Sequence, residues 1–401
     1  MNVAVVGNVD HGKSTLIGRL LYDSGNIPDN KLSEVQKVVN EYKKKFEFAY
    51  FLDAFSDEVS EERTIDTTEV TFMSDKRLYT MTDVPGHKEF IKNMLTGASH
   101  SDVAIIVIAI DEGIQEQTRR HAFLINMLGI SNVIVVINKM DLVNYEAKSF
   151  WDITVQVAQS FSQFDYEVSF IPISAFEGQN VYKKSEKMSW FPGISLVEAL
   201  DSTELSDSTK PFRFAVQGLY PRGSGKIIVG RVESGSVSIR DKVVFMPSNQ
   251  TSRVKGIWKH QERLVQASEG DSIGLVTSSR PKRGEVCGLS DTSPIVVNKF
   301  LGEVVLLDGA LEEGEHLYLK CGPQEVRCKV FEIVVTLNSE TGEASSFGSS
   351  NKIVSPEAGI VWFKTDPLVL EKFSEVPELG RFVLVRYSKA IGAGIVLEKG
   401  G

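Results

Sequence analysis

At 401 residues the chain has room for two or three domains, each long enough to bury a core of its own. Hydrophobic residues make up 42% and charged residues 24%, ordinary globular values that exclude a fibrous or disordered chain. A net charge of −9 argues against a large nucleic-acid surface, which needs clustered Lys and Arg, and leaves only local basic patches open. Cys287, Cys321 and Cys328 fit no metal-ligand spacing and read as reduced thiols in a folded interior. No apolar run approaches the ~18 residues of a membrane span. Met1 leads straight into strand-like sequence, so no signal peptide is expected and the location reads as cytoplasmic.

In chain order, the first stretch is Met1-Asn2-Val3-Ala4-Val5-Val6, a β-rich run that stops at Gly7. Gly7-Asn8-Val9-Asp10-His11-Gly12-Lys13-Ser14 follows, a G-x-x-x-x-G-K-S loop that passes into a helix from Thr15 onward. The two glycines let the backbone curl so that successive N–H groups point at a phosphate, and the helix adds its positive end. Lys13 can reach the terminal phosphates, and the Ser14 hydroxyl suits Mg²⁺; the nucleotide-contact set is Gly7, Asn8, Val9, Asp10, His11, Gly12, Lys13, Ser14 and Thr15. A glycine turn before an amphipathic helix gives a similar pattern, so the loop takes its meaning from the motifs further along the chain.

Residues 22 to 63 form a charged, partly helical insertion in which Lys43-Lys44-Lys45 reads as a solvated helix face and Asp57 to Glu62 as an exposed acidic stretch. Arg63-Thr64-Ile65-Asp66-Thr67 is the candidate moving loop: the Thr64 hydroxyl can ligate Mg²⁺ while its backbone meets the γ-phosphate. Asp83-Val84-Pro85-Gly86 comes at the end of a strand. Asp83 can hold Mg²⁺ through water, the Gly86 N–H can sense the γ-phosphate, and His87 stands where a water-orienting group belongs.

Asp102 to Ala109 reads as a buried parallel strand and Gln117 to Leu128 as a helix stopped by Gly129. Asn138-Lys139-Met140-Asp141 then follows another apolar strand. The Asp141 carboxylate can accept from guanine N1–H and its 2-amino group, a donor pair that adenine lacks. Ser174-Ala175 completes the base pocket, with a backbone N–H expected to face the guanine O6. Four matches in this order make a GTP site. His121 reads as structural or surface, whereas His11, His100, His260 and His316 have no partner pattern.

Strand-like and helix-like runs alternate through residue 200, ending in a helix over Ser195 to Leu200, which implies an α/β P-loop GTPase domain with a doubly wound, mostly parallel sheet. Asp201 to Lys210 is a linker, after which the hydrophobic period becomes two. Two all-β barrel domains are expected, split near Asp291-Thr292-Ser293-Pro294, giving domains 1–205, 211–292 and 295–401. Arg222-Gly223-Ser224-Gly225-Lys226 lacks the leading glycine and the Ser/Thr of a second phosphate loop and reads as a hairpin turn.

The phosphate loop, Asp83 to Met94 (Asp-Val-Pro-Gly-His-Lys-Glu-Phe-Ile-Lys-Asn-Met) and Asn138 to Asp141 together resemble the translation-factor superfamily of GTPases, as does the order of a G domain and two barrels. The resemblance covers the whole chain. Within the superfamily, Gln117-Thr118-Arg119-Arg120-His121-Ala122-Phe123, Val243 to Ser248 with Ser252 to Lys255, and Tyr318 to Val330 are similar to the GTP-binding large subunit of bacterial sulfate adenylyltransferase (ATP sulfurylase). That resemblance implies a GTPase that helps drive ATP and sulfate to adenosine 5′-phosphosulfate. A separate catalytic subunit would supply the adenylation loop (Ser-Gly-Gly-x-Asp-Ser), which this chain lacks. GTP, GDP and Mg²⁺ are the implied cofactors, with Lys13, Thr64 and His87 carrying hydrolysis. The alternative is a tRNA-delivering elongation factor, and only it brings in nucleic acid. Two departures stand out: His11 occupies a place where the sulfurylase subunit commonly has Asp, and Glu62-Arg63 replaces the Gly-Ile whose Ile forms, with the phosphate-loop valine (here Val9), an apolar gate over His87.

Overall fold

The computed structural model describes residues 1–25, 48, 68–83, 101–162, 164, 166–204, 210–222, 225–347 and 351–400. The expectations for the insertion, for Arg63 to Thr67, and for Gly86, His87 and His100 lie outside these residues. The chain divides into two compact units, Met1–Leu205 with Glu340–Gly342, and Ser206–Ser339 with Glu343–Gly401.

The first unit is built on a six-stranded sheet. Its strands are β1 (Asn2–Gly7), β2 (Thr68–Met73), β3 (Leu78–Asp83), β4 (Val103–Ala109), β5 (Asn132–Asn138) and β6 (Glu167–Pro172), ordered β2-β3-β1-β4-β5-β6. Only β2 runs antiparallel, against β3. Every residue of β4 is buried, as a strand covered on both faces requires. The helices of this unit include α1 (Lys13–Asp23), α2 (Glu116–Met127), α3 (Ala147–Phe161) and, after the last strand, α4 (Leu196–Ser202).

Local signals place their ends. Gly129 is left-handed (φ 61°) after α2, with its N–H donating to Asn126 and the Ile130 N–H reaching back to Ile125, so the last carbonyls are satisfied and the helix stops. Ser195 caps α4 in a reciprocal pair with Glu198, and the helix runs two residues further than the pattern suggests. With β1, β3, β4 and β5 all parallel, their carboxyl ends share one edge, where ligands of open α/β sheets bind.

The second unit is all β. Its first half holds β7 (Arg213–Arg222), β8 (Gly225–Ser234), β9 (Ser236–Ser238), β10 (Lys242–Met246), β11 (Gln250–Arg253), β12 (Gly256–Lys259), β13 (Glu262–Leu264), β14 (Gln266–Ser268), β15 (Ser272–Val276) and β16 (Val286–Leu289). Eight of these form one sheet in the order β11-β10-β16-β7-β8-β15-β12-β13, over a core that includes Phe212, Phe214 and Phe245. The glycine-rich stretch after Arg222 joins β7 to β8, whose last pair is Arg222 with Gly225.

The second half holds β17 (Val296–Leu306), β18 (Ala310–Glu312), β19 (His316–Cys321), β20 (Gln324–Leu337), β21 (Ala344–Phe347), β22 (Lys352–Val354), β23 (Ala358–Val369), β24 (Arg381–Arg386) and β25 (Lys389–Gly400). The order β19-β24-β25-β17-β23-β20 closes on itself through a β19–β20 pairing, making a barrel. Inside it Phe300, Phe363 and Phe382 pack with ring centroids 5.2 to 5.5 Å apart. All three cysteines are buried thiols, and burial pushes Cys321 and Cys328 up to about 12.

One buried ion network ties distant parts of this unit. Arg213 Nε donates to Glu371 Oε1 at 2.7 Å, and its Nη1 to the carbonyls of Thr292 (2.7 Å) and Phe212 (2.9 Å). Lys399 Nζ donates to the other oxygen of Glu371 at 2.8 Å. Arg213 and Glu371 are 4% and 2% exposed, so each depends on its partner. Glu371→Leu strands the buried Arg213 and leaves Lys399 only Glu375 at 3.8 Å; it is expected to destabilise the protein by about 3–5 kcal/mol, with a smaller loss when Arg213→Met is added. Denaturant midpoints of the two variants measure this, and an unshifted midpoint for Glu371→Leu would rule the network out as a structural tie.

Candidate nucleotide site

The phosphate loop leaves β1 at its carboxyl end and enters α1 with Gly12 as the N-cap at φ 92°. A side chain at Gly7 would place its Cβ 2.4 Å from the Val107 carbonyl, and one at Gly12 would place it 2.4 Å from Asn138 Nδ2. The loop is therefore pressed against the ends of β4 and β5, and only glycine fits at either contact. Asp10 is left-handed between them (φ 62°). Lys13 Nζ donates to the carbonyls of Gly7 (3.1 Å) and Asn8 (2.8 Å), which hold the ammonium over its own loop. Burial draws the Lys13 pKa below its ordinary value, against the opposing pull of Asp83 and Asp10.

Ser14 Oγ donates to Asp83 Oδ2 at 3.2 Å, so the hydroxyl at the start of α1 and the carboxylate at the end of β3 converge. Two hard oxygen donors at one point are the donor set that Mg²⁺ takes, and these residues fit it. Thr15 lies in the first turn of α1. Val9 is 64% exposed on the loop's outer side, and its gate partners fall outside the described residues.

His11, for which the sequence offers no partner pattern, is fully buried. Its Nδ1 meets the Val107 carbonyl at 3.1 Å and its Nε2 lies 3.4 Å from Glu112. Burial lowers its pKa, with Val107 and then Glu112 opposing. The ring is a wedge beneath the loop, and no short-range pattern could reveal it, because Val107 lies 96 positions away.

Asn138 joins the two halves of the site. Its Nδ2 donates to the His11 carbonyl at 2.9 Å, and its Oδ1 accepts from the Ala175 N–H at 2.9 Å. The Ala175 N–H, one of the two backbone donors of Ser174-Ala175, is thus engaged by Asn138. Lys139 is left-handed (φ 62°) and its Nζ lies 3.5 Å from Asp111 and 3.6 Å from Glu112, at the end of β4. Asp141 sits in the short 3₁₀ turn Met140–Val143, where its Oδ1 accepts from the Ser174 hydroxyl. The structure therefore brings Asn138, Lys139, Asp141, Ser174 and Ala175 together beside the phosphate loop.

A further wall has no sequence motif of its own. Asn144 and Tyr145 are both left-handed (φ 48° and 61°), which turns the chain so that the Tyr145 hydroxyl donates to Glu177. Lys187 also donates to Glu177 and lies 4.9 Å from the Tyr145 ring centre, while Trp190 Nε1 donates to the Tyr145 carbonyl at 2.9 Å. The Glu177 N–H in turn donates to Ser174 Oγ at 3.1 Å, linking this wall to the group that holds Asp141.

Residues 1–206 match the family described as Elongation factor Tu GTP binding domain, 225–282 match Elongation factor Tu domain 2, and 299–397 match GTP-eEF1A C-terminal domain-like. Elongation factor 1-alpha of Thermoplasma acidophilum is 39% identical over 417 residues, covering 100% of this chain and 98% of that one. The same factor of Methanoculleus marisnigri is 37% identical over 414 residues, covering 99% and 97%. The chain belongs to the translation-factor GTPase family.

Membership makes it a GTP-binding GTPase with an α/β nucleotide domain followed by two β-rich domains. It also overturns the sulfate adenylyltransferase reading, because the full-length relatives carry the elongation-factor name; the adenylating partner subunit falls with it. Two of the stretches that suggest that branch have plain structural roles. Arg120 pairs with Glu116 one turn earlier on α2, and Leu317 to Val330 is a hairpin of the closed barrel with the alternating burial such hairpins share. In this translation-factor GTPase the Asn138 amide is the link between phosphate loop and base loop. Asn138→Ala removes two buried hydrogen bonds and is expected to weaken GTP and GDP alike by roughly ten- to a hundred-fold. Titration with a fluorescent guanine nucleotide tests this, and unchanged affinity would deny the amide that role.

Proposed function

We propose that this chain is an elongation GTPase that in its GTP form carries aminoacyl-tRNA to the ribosome and lets go after hydrolysis. The single observation in support is the match to Elongation factor 1-alpha over the whole chain, at 37–39% identity across both partners' lengths. The three domains under this reading are 1–205, 211–292 and 295–401, and the cell's translating compartment, the cytoplasm, is its place of work. No helix among the described residues is long and apolar enough to cross a membrane, which is compatible with that place.

The residue roles rest on the loop chemistry and, for the described residues, on the contacts above; those of Thr64, Gly86 and His87 rest on the sequence motifs alone. The phosphate-loop amides and Lys13 hold the phosphates. Ser14 and Thr64 would ligate Mg²⁺ directly and Asp83 through water; when bound, the ion neutralises charge between the terminal phosphates. Thr64 and Gly86 sense the γ-phosphate, and His87 orients the attacking water. Asp141 reads the guanine, held by Ser174, while Asn138, Lys139 and Ala175 fix the loops around it. The carboxylate beside a buried hydroxyl matches donors on the base, so a base without them leaves it unpaired.

Two experiments test the reading. Protection of the aminoacyl ester from hydrolysis should appear when the protein is loaded with a non-hydrolysable GTP analogue and vanish with GDP; no protection in either state removes the tRNA role. Separately, Asp141→Asn is expected to move nucleotide preference from guanine towards xanthine, whose 2-oxo group accepts from the new amide. Unaltered selectivity would take Asp141 out of the base pocket.

A further inference from the structure

The loop over residues 174–180 is fastened from two sides by residues that stand outside the nucleotide motifs. It closes on itself, since Ser174 and Gln179 exchange both backbone hydrogen bonds, at 3.0 and 3.1 Å. At its start the Ser174 hydroxyl donates to Asp141 and the Ala175 N–H donates to Asn138 at 2.9 Å. Whatever fixes this loop therefore fixes the partner of Asp141. On one side stands Arg19 of α1, whose Nη1 donates to the Phe176 carbonyl at 3.4 Å. A Cβ at Gly178 (φ 73°) would lie 2.2 Å from Arg19 Nη2, so glycine is what lets helix and loop meet.

On the other side the fastening is Glu177. Its carboxylate accepts from Lys187 Nζ and from the Tyr145 hydroxyl, while its N–H donates to Ser174 Oγ at 3.1 Å. Lys187 and then Tyr145 hold the carboxyl below its ordinary pKa, so it meets both donors as an anion. Tyr145 in turn belongs to the segment that carries Asp141. The Asn144 N–H donates to the Asp141 carbonyl at 3.2 Å and the Tyr145 N–H to the Met140 carbonyl at 2.9 Å. Two successive left-handed residues without glycine are costly, and such strain persists where neighbouring bonds impose it. Here it turns the Tyr145 hydroxyl across to Glu177.

We propose, resting on the base-reading role given to Asp141, that Glu177 is a latch that sets how fast guanine nucleotide leaves the site. It acts as a positioning residue, with its carboxylate engaged by Tyr145 and Lys187. The segments 138–146 and 174–180 are tied inside through Ser174 and Asp141 and outside through Glu177 and Tyr145. A base held between them leaves when they part. The outer bond exists while the segments are together and is lost when they separate, so it lowers the closed state and leaves the open one alone. An interaction of that kind slows departure and hardly alters arrival.

Stopped-flow displacement of a fluorescent GDP analogue from the full chain measures release and capture separately. Tyr145→Phe deletes the hydroxyl and keeps the ring; it should raise the dissociation rate roughly five- to tenfold and leave association within about twofold. Glu177→Ala should speed release at least as much, and adding Tyr145→Phe to it should change nothing more, because both remove one bond. Glu177→Gln keeps an oxygen for the tyrosine and should restore most of the slow release. Parental release from Tyr145→Phe and Glu177→Ala would overturn the proposal, as would effects that multiply in the double variant or fall on association alone. The nucleotide preference of Asp141→Asn separates the latch from the base-reading role. If that preference is unaltered while Tyr145→Phe speeds release, the base-reading role falls and the latch stands. A shifted preference with parental release does the reverse.

Discussion

The nucleotide site depends on one buried amide. Asn138, at the end of β5, donates to the phosphate loop through the His11 carbonyl and accepts from the base loop through the Ala175 N–H. Both partners are backbone groups buried beside it, and backbone groups in such places must be paired. The contact also dictates what the phosphate loop can be made of, since it occupies the space that any side chain at Gly12 would need. The curl that presents N–H groups to a phosphate and the distance from phosphate to base are thus set by a single side chain on a rigid central strand.

Around that amide the site is arranged as layers of decreasing burial. His11 sits fully enclosed between the loop and β4, Asp83 and Ser14 lie at the rim, and Tyr145, Glu177 and Lys187 form an outer wall that reaches inward through Ser174 to Asp141. The strained left-handed pair Asn144 and Tyr145 is held by bonds to Trp190 and Met140, so the local cost is offset by the surrounding packing. The base-reading role proposed for Asp141 calls for such support, because a mobile acceptor would tolerate the wrong donor.

Much of this is legible in the chain. The phosphate loop, the apolar parallel strands, the Gly129 stop and the change of period after the linker are local features, and local features leave local patterns. The hidden parts are held together by residues far apart. Nothing near His11 announces Val107 or Glu112, nothing near Tyr145 announces Glu177, and Arg213, Glu371 and Lys399 carry no mark of meeting. The branch within the superfamily is misjudged from sequence for a related reason. Arg120 and the β19–β20 hairpin resemble the other branch, yet in the structure Arg120 pairs with Glu116 and Glu340 and the hairpin has the alternating burial of a barrel strand pair.

The two β domains handle their sheet margins differently, and this bears on how copies of the protein behave when they meet. The closed barrel pairs its main strands in a ring. The eight-stranded sheet instead ends on β11 and β13, only four and three residues long. Arg253 on one and Glu262 and Arg263 on the other put charge on those margins. A short, charged margin offers an incoming strand few bonds to make and sets charge against it, so one copy cannot readily extend the sheet of another. The open sheet is thereby kept from acting as a template for self-assembly.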